Sequence, residues 1–182
     1  MRDTTRKIAF FTITEYEKEQ EWLSKWHRRG WKLTKATLPC FYKFERCEPD
    51  EVVYQLDYNK EGLEHKGEYI QMFADCGWEY VDEMLGYSYF RKPKDEMVGE
   101  EEIFCDDNSR MDMIERVFKG RMIPLLIIMF LVIIPQIIMM SQGEDKVAMF
   151  LLGVFIGALI VYITVFVDFA VKYIELKKRI DG

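Results

Sequence analysis

The chain has 182 residues and a formal net charge of −6, with 49% hydrophobic and 31% charged side chains. The length suits one or two domains. The acidic balance, with no Lys/Arg block in the first 94 residues, argues against direct nucleic-acid binding, because phosphate contacts need a basic patch. Charge and apolarity are segregated: charged residues crowd before Arg121 and after Val171, and long apolar runs lie between.

The early apolar run Ile8-Ala9-Phe10-Phe11 is too short for the hydrophobic region of a signal peptide. Instead Ile8–Ile13 carries strand propensity. Thr14, with Glu17 three residues on, fits a capping box. A helix is then expected over Glu15–Arg29, with Tyr16, Gln20, Leu23, Trp26 and His27 recurring at three- and four-residue spacing. Its acidic start and basic end suit the helix dipole, and Gly30 is placed to end it.

Trp31–Thr37 and Phe41–Phe44 read as two strands joined by a turn at Leu38-Pro39-Cys40, and Val52–Tyr58 as a third. A second helix beginning at Leu63 or Glu68 ends at Cys76 before Gly77. Trp78–Val81 and Tyr87–Arg91 follow as strands around Leu85-Gly86, and Pro93 closes the unit.

The two halves align at an offset of about 47 residues: Gly30-Trp31 falls on Gly77-Trp78, Trp26 on Phe73, Tyr42 on Tyr89, and Ile8–Phe11 on Gln55–Tyr58. The expected fold is α+β: a duplicated strand-helix-strand-strand unit forming a mostly antiparallel sheet with two helices on one face. One copy alone buries too little surface to fold.

Each Gly-Trp pair has a packing explanation, since glycine permits the left-handed turn and the indole folds back onto the core. Packing is also the first reading of Tyr42, Tyr54, Tyr58, Tyr87 and Tyr89. The alternatives are an aromatic ligand pocket or, for tyrosines on an open sheet face, a surface for a protein partner.

Catalytic chemistry is not signalled. His27 and His65 are the only histidines, and neither sits in a nucleophile or zinc motif. Ser24 and Ser88 have no nucleophile elbow, and no phosphate-binding or dinucleotide glycine pattern occurs. Cys40, Cys47, Cys76 and Cys105 have no C-x-x-C spacing and no histidine at ligand distance, so neither metal nor cofactor is expected. The chain reads as non-enzymatic.

The cytosolic domain is assigned to 1–94. Residues 95–108 form an acidic linker, with Glu100-Glu101-Glu102 and Asp106-Asp107 around Ile103-Phe104. An amphipathic juxtamembrane helix is expected over 109–121, capped by Ser109 and Asp112, with Met113, Ile114, Val117 and Phe118 on its apolar side.

Residues 122–171 read as a transmembrane hairpin of two helices, Met122–Met140 and Val147 to about Val167. Between them lies only Ser141-Gln142-Gly143-Glu144-Asp145-Lys146. Pro124 falls in a first turn, Pro135 can kink the far end, and Asp168 sits at the membrane edge. Gly153, Gly157 and Ala158 offer a close-packing face for the first span or for a second copy, hence a homo-oligomer through the second transmembrane helix.

Arg116, Lys119 and Arg121 precede the hairpin, and Lys172, Lys177, Lys178 and Arg179 lie in the basic tail 172–182. Only Lys146 lies in the loop. The positive-inside rule then gives a multi-pass protein of the cell membrane, held in the lipid bilayer with both termini cytoplasmic.

The motifs Trp22-Leu23, Gly30-Trp31-Lys32-Leu33, Tyr54-Gln55-Leu56-Asp57-Tyr58, Gly77-Trp78-Glu79 and Tyr89-Phe90-Arg91, followed by a hairpin, resemble the DUF2812 family of bacterial membrane proteins. The resemblance brings no catalytic or ligand residue. Because members are often encoded beside PadR-like transcriptional repressors, it implies a membrane-tethered module in a sensing or regulatory circuit. The expected function is regulatory: the cytosolic domain binds a cytosolic protein partner, such as a PadR-like transcriptional regulator. The alternatives are an accessory subunit of a membrane transporter or enzyme complex, and a tethered small-ligand-binding domain.

Overall fold

A computed structural model describes residues 3–12, 15–38, 40–59, 65–97, 107–143 and 145–181. The chain forms two compact units, Met1–Met113 and Ile114–Gly182.

In the first unit the order is β1 (Thr4–Ile8), α1 (Tyr16–His27), β2 (Trp31–Thr37), β3 (Phe41–Arg46), β4 (Val52–Tyr58), α2 (Lys66–Asp75), β5 (Glu79–Met84) and β6 (Tyr87–Pro93). A 3-10 turn, Lys94–Glu96, follows. The strands form two antiparallel sheets of the same topology, β1-β3-β2 and β4-β6-β5. The α+β class and the strand-helix-strand-strand repeat are as expected, with two sheets in place of one.

Register makes the equivalence explicit. Thr5, Phe44 and Leu33 form one row of the first sheet, and Gln55, Phe90 and Tyr80 the same row of the second. The offset is therefore 50 residues in the first strand, 47 in the second and 46 in the third. It changes because the connections differ in length, so Tyr42 matches Ser88 and Tyr89 matches Lys43. Both second strands are bulged at matching points, between Leu33 and Lys35 and between Tyr80 and Asp82. Gly30 and Gly77 both adopt left-handed backbone, φ 80° and 81°, which a β-carbon would strain.

The first strand lies earlier than expected, at Thr4–Ile8 instead of Ile8–Ile13. Its polar residues suit an edge strand, whereas Phe11 leaves the ladder and packs edge-on against Trp22 and Tyr42. Thr14 lies outside the described residues. The turn before α1 is held by Thr12, whose N–H and hydroxyl both donate to Oε2 of Glu15, at 3.0 and 3.1 Å. With Lys18 at 2.7 Å as the largest influence, the Glu15 carboxyl is held down to about 2.

The helices do not share one face. Tyr69 and Phe73 of α2, with Trp78, close over Phe90 on the second sheet. Trp22 and Trp26 of α1 pack on Tyr42 and Phe44 of the first sheet. The opposite side of α1 meets the second sheet on the face away from α2, where the backbone N–H of Tyr54 donates to Ser24 Oγ at 3.3 Å. Thus α1 is wedged between the sheets, because it has an aromatic side for one and a small, polar side for the other.

After the sheet-bearing region, α3 (Asp107–Val117) runs across the unit boundary and the helical chain continues through a π turn at Phe118–Met122, α4 (Ile123–Ile128), a second π turn at Met129–Ile133, and α5 (Ile134–Met140). Helix is already present at Asp107, so Ser109 lies within it and is not the cap. Pro124 and Pro135 each occupy a first turn after a π turn, where the missing N–H is tolerated. After the loop, α6 (Lys146–Asp181) runs for 36 residues. Asp145 Oδ1 caps it by accepting the N–H of Ala148 at 2.6 Å.

Candidate functional site

The polar interior of the first unit is built around α1. Glu19 is buried at its centre, and its Oε1 accepts the hydroxyls of Tyr42 at 2.7 Å and Tyr89 at 2.6 Å. One carboxylate oxygen thereby ties the first sheet to the second. Burial, followed by the neighbouring Glu19 charge, pushes both phenols far above their ordinary range.

About two turns on, His27 Nδ1 lies 2.9 Å from the Tyr54 hydroxyl. That oxygen also accepts the Leu33 N–H at 3.2 Å, so the Tyr54 hydroxyl joins α1 to β2. Burial, then the Arg91 charge, lowers His27 to about 4, so it is neutral at pH 7.

Where β2 faces the second sheet, side chains replace a strand ladder. Arg91 donates to the Leu33 carbonyl at 3.2 Å, and Asp82 Oδ2 accepts the Ala36 N–H at 2.8 Å. Arg91 is itself gripped by both oxygens of Glu79, at 2.6 and 2.5 Å, and this hydrogen bonding lowers the Glu79 carboxyl. The bulged edge of β2 has its backbone satisfied without fusing the sheets.

All five tyrosines that could have formed a partner surface are buried: Tyr42, Tyr54, Tyr58, Tyr87 and Tyr89. This corrects the open-face reading. Alternation along β4 was legible, but α1 covers the Tyr54 side while α2 covers the Gln55 and Asp57 side, where Asp57 accepts the Tyr69 hydroxyl at 2.9 Å. His27 and Glu19 gave too weak a signal in sequence, since a lone histidine and one glutamate among several mark no pair.

Among the described residues no group of His, Cys, Asp or Glu is arranged to hold a metal ion. A solvent-open groove of about 480 Å³ runs beside α1 and β4, lined in part by Tyr16, Gln20, Ser24, Arg28 and Tyr54. In the second unit an apolar groove of about 440 Å³ is lined by Phe118, Phe169, Tyr173 and Ile174, with the two phenylalanine rings stacked at 5.8 Å.

The sequence profile of a family described as "Protein of unknown function (DUF2812)" matches residues 15–127, more than half of the chain. The chain belongs to the DUF2812 family. No curated protein and no solved structure matches it. The DUF2812 match begins just before α1 and ends at Ile127, inside the first apolar helix.

Two helices of this DUF2812 protein are long and apolar enough to cross a membrane, Ser109–Met140 and Lys146–Arg179. At 1.5 Å per residue their 32 and 34 residues span about 48 and 51 Å, against a hydrocarbon core of about 30 Å. The excess carries Arg116, Lys119 and Arg121 on one helix and Lys172, Lys177, Lys178 and Arg179 on the other. Gly153 and Gly157 have no neighbour within 4 Å of an added β-carbon, so this small-residue stretch does not pack the first span. Ala158 is half-buried and Asp168 is exposed.

Proposed function

We propose that the protein is a membrane-anchored, non-enzymatic regulatory module whose first unit binds a cytosolic protein partner. A transcriptional regulator of the PadR type is the partner implied by the family resemblance. The supporting observation is that the polar groups with chemical potential are engaged in the scaffold: Glu19, His27 and Tyr54 tie α1 to the sheets, and Arg91 ties the second sheet to β2. A scaffold built this way presents surfaces. In this reading the two apolar helices act as a hairpin anchor in the bilayer, and the positive-inside rule applied to their basic ends supports cytoplasmic termini.

The topology is tested with cysteine labelling in intact cells. Ser141→Cys is expected to react with an impermeant maleimide, and a cysteine at Lys177 only after permeabilisation; the reverse pattern overturns the orientation. The binding role is tested by chemical crosslinking of native membranes followed by solubilisation. A cytosolic protein recovered with the chain supports it, and recovery of the chain alone counts against it.

The open Gly153 and Gly157 face favours a second reading, an accessory subunit of a membrane complex or a homo-oligomer through α6. Replacing both glycines by leucine is then expected to dissolve a larger species on native gels without releasing the cytosolic partner.

A further inference from the structure

The repeat has an asymmetry that bears on binding. In each half, the helix covers one face of its own sheet. In the second sheet the other face is also covered, because α1 and its hydrogen bonds sit on the rows Tyr54–Arg91–Glu79 and Leu56–Tyr89–Asp82. The equivalent rows of the first sheet are Thr4–Glu45–Lys32, Arg6–Lys43–Lys35 and Ile8–Phe41–Thr37. No described element of the first unit covers them.

This uncovered face has unusual chemistry. Arg6, Lys43 and Lys35 stand directly opposite one another across three strands, and all three are exposed. Strands lie about 4.8 Å apart, so the three basic residues have their Cα atoms within about 10 Å. Like charges in facing positions destabilise a sheet. The next row sets Ile8, 63% exposed, against Phe41, 42% exposed. Leu38 at 54% and Phe10 at 78% extend the apolar patch at the same end of the sheet. A cationic row beside an apolar row is an arrangement that folding alone does not favour.

We infer that this face of the first sheet docks an acidic amphipathic helix of the protein partner. The helix is argued from the molecule itself, because the equivalent face of the second sheet is occupied by a helix, α1, which brings an acidic residue to it through Glu19. The acidity follows from Arg6, Lys43 and Lys35, which a carboxylate-bearing helix side would neutralise. Carboxylates three or four residues apart share one helix side, and adjacent apolar positions would cover Ile8 and Phe41. The inference rests on the partner-binding reading and names where and how it binds.

The test uses the full chain in its own membranes, with the photocrosslinker p-benzoylphenylalanine at Phe41 or Thr37, and the adduct identified by mass spectrometry. The expected result is a crosslink to an acidic, amphipathic helical segment of a cytosolic protein, reduced at least tenfold when Arg6→Glu and Lys43→Glu are combined. Lys43→Glu alone is expected to raise the Tm of the purified chain, because it turns the like-charge row into one of alternating sign while leaving the core intact. A phospholipid adduct overturns the inference in favour of a bilayer-facing surface, and an adduct to a second copy of this chain overturns it in favour of self-association. Absence of any adduct at both positions, while general crosslinking still recovers a partner, overturns this face but not the partner-binding reading. If general crosslinking also recovers nothing, both fail.

Discussion

The two sheets share topology, bulge positions and a helix-ending glycine, yet they occupy different environments. The second is covered on both faces and buries even Gln55, Asp57, Ser88 and Lys92. The first is covered on one face and leaves the other basic and partly apolar. Lys92 illustrates the consequence: under α2 its ammonium donates to the Cys76 carbonyl at 3.0 Å and closes the helix end. Arg6 and Lys43, on the uncovered face, stand in facing register positions instead. A duplicated unit becomes two different parts when only one copy acquires a second neighbour.

This comparison is sharpened most strongly at the equivalent positions Phe44 and Phe90, both fully buried under their own helix. Truncation of either to alanine is expected to cost about 3–5 kcal/mol. All four tryptophans lie in the first unit, so denaturant titration of the full chain in detergent, followed by tryptophan fluorescence, reads it directly. A much smaller cost at Phe44 would break the equivalence of the two cores.

Next in size is the Glu19 junction. Glu19→Leu leaves two buried hydroxyls without their acceptor, with an expected loss of about 3 kcal/mol. Tyr42→Phe and Tyr89→Phe, which reach the same oxygen from different sheets, are expected to cost about 1.5–3 kcal/mol each and to be non-additive when combined.

His27 supplies a pH test of similar scale. Its folded value of about 4 lies below the ordinary 6.5, so the unfolded chain binds more protons between these values. Stability is therefore complete above pH 6.5 and falls as pH drops toward 4, by about 3 kcal/mol in all. The measurement is the unfolding free energy at pH 7, 6, 5 and 4, and His27→Gln is expected to remove this part of the slope. The smallest effect belongs to the open face, where Lys43→Thr is expected to change stability by at most about 0.5 kcal/mol, upward if the cation row is repulsive.

Local signals revealed the repeat unevenly. Gly30-Trp31 and Gly77-Trp78 located the second strands at their true offset, because a left-handed helix stop tolerates little else. Tyr42 and Tyr89 looked equivalent but are not, since one extra residue between β2 and β3 shifts the register and turns each side chain to the other face. The polar edge strand β1 was displaced toward Phe10 and Phe11, whose aromatic character suggested a strand. Glu19 and His27 were hidden because a buried polar group is defined by what surrounds it, and Tyr42, Tyr54 and Tyr89 come from residues 23, 27 and 70 positions away in the chain.

The sequence by itself determined the α+β repeat, the helix stops and two helices of membrane-crossing length, since each depends on short-range periodicity or an unbroken apolar run. Only the tertiary structure decided that α1 lies between two sheets, that the tyrosines are internal, and that one sheet face is left uncovered. Those outcomes turn on which surfaces meet, and alternation along a strand cannot say how many of its faces will find a neighbour.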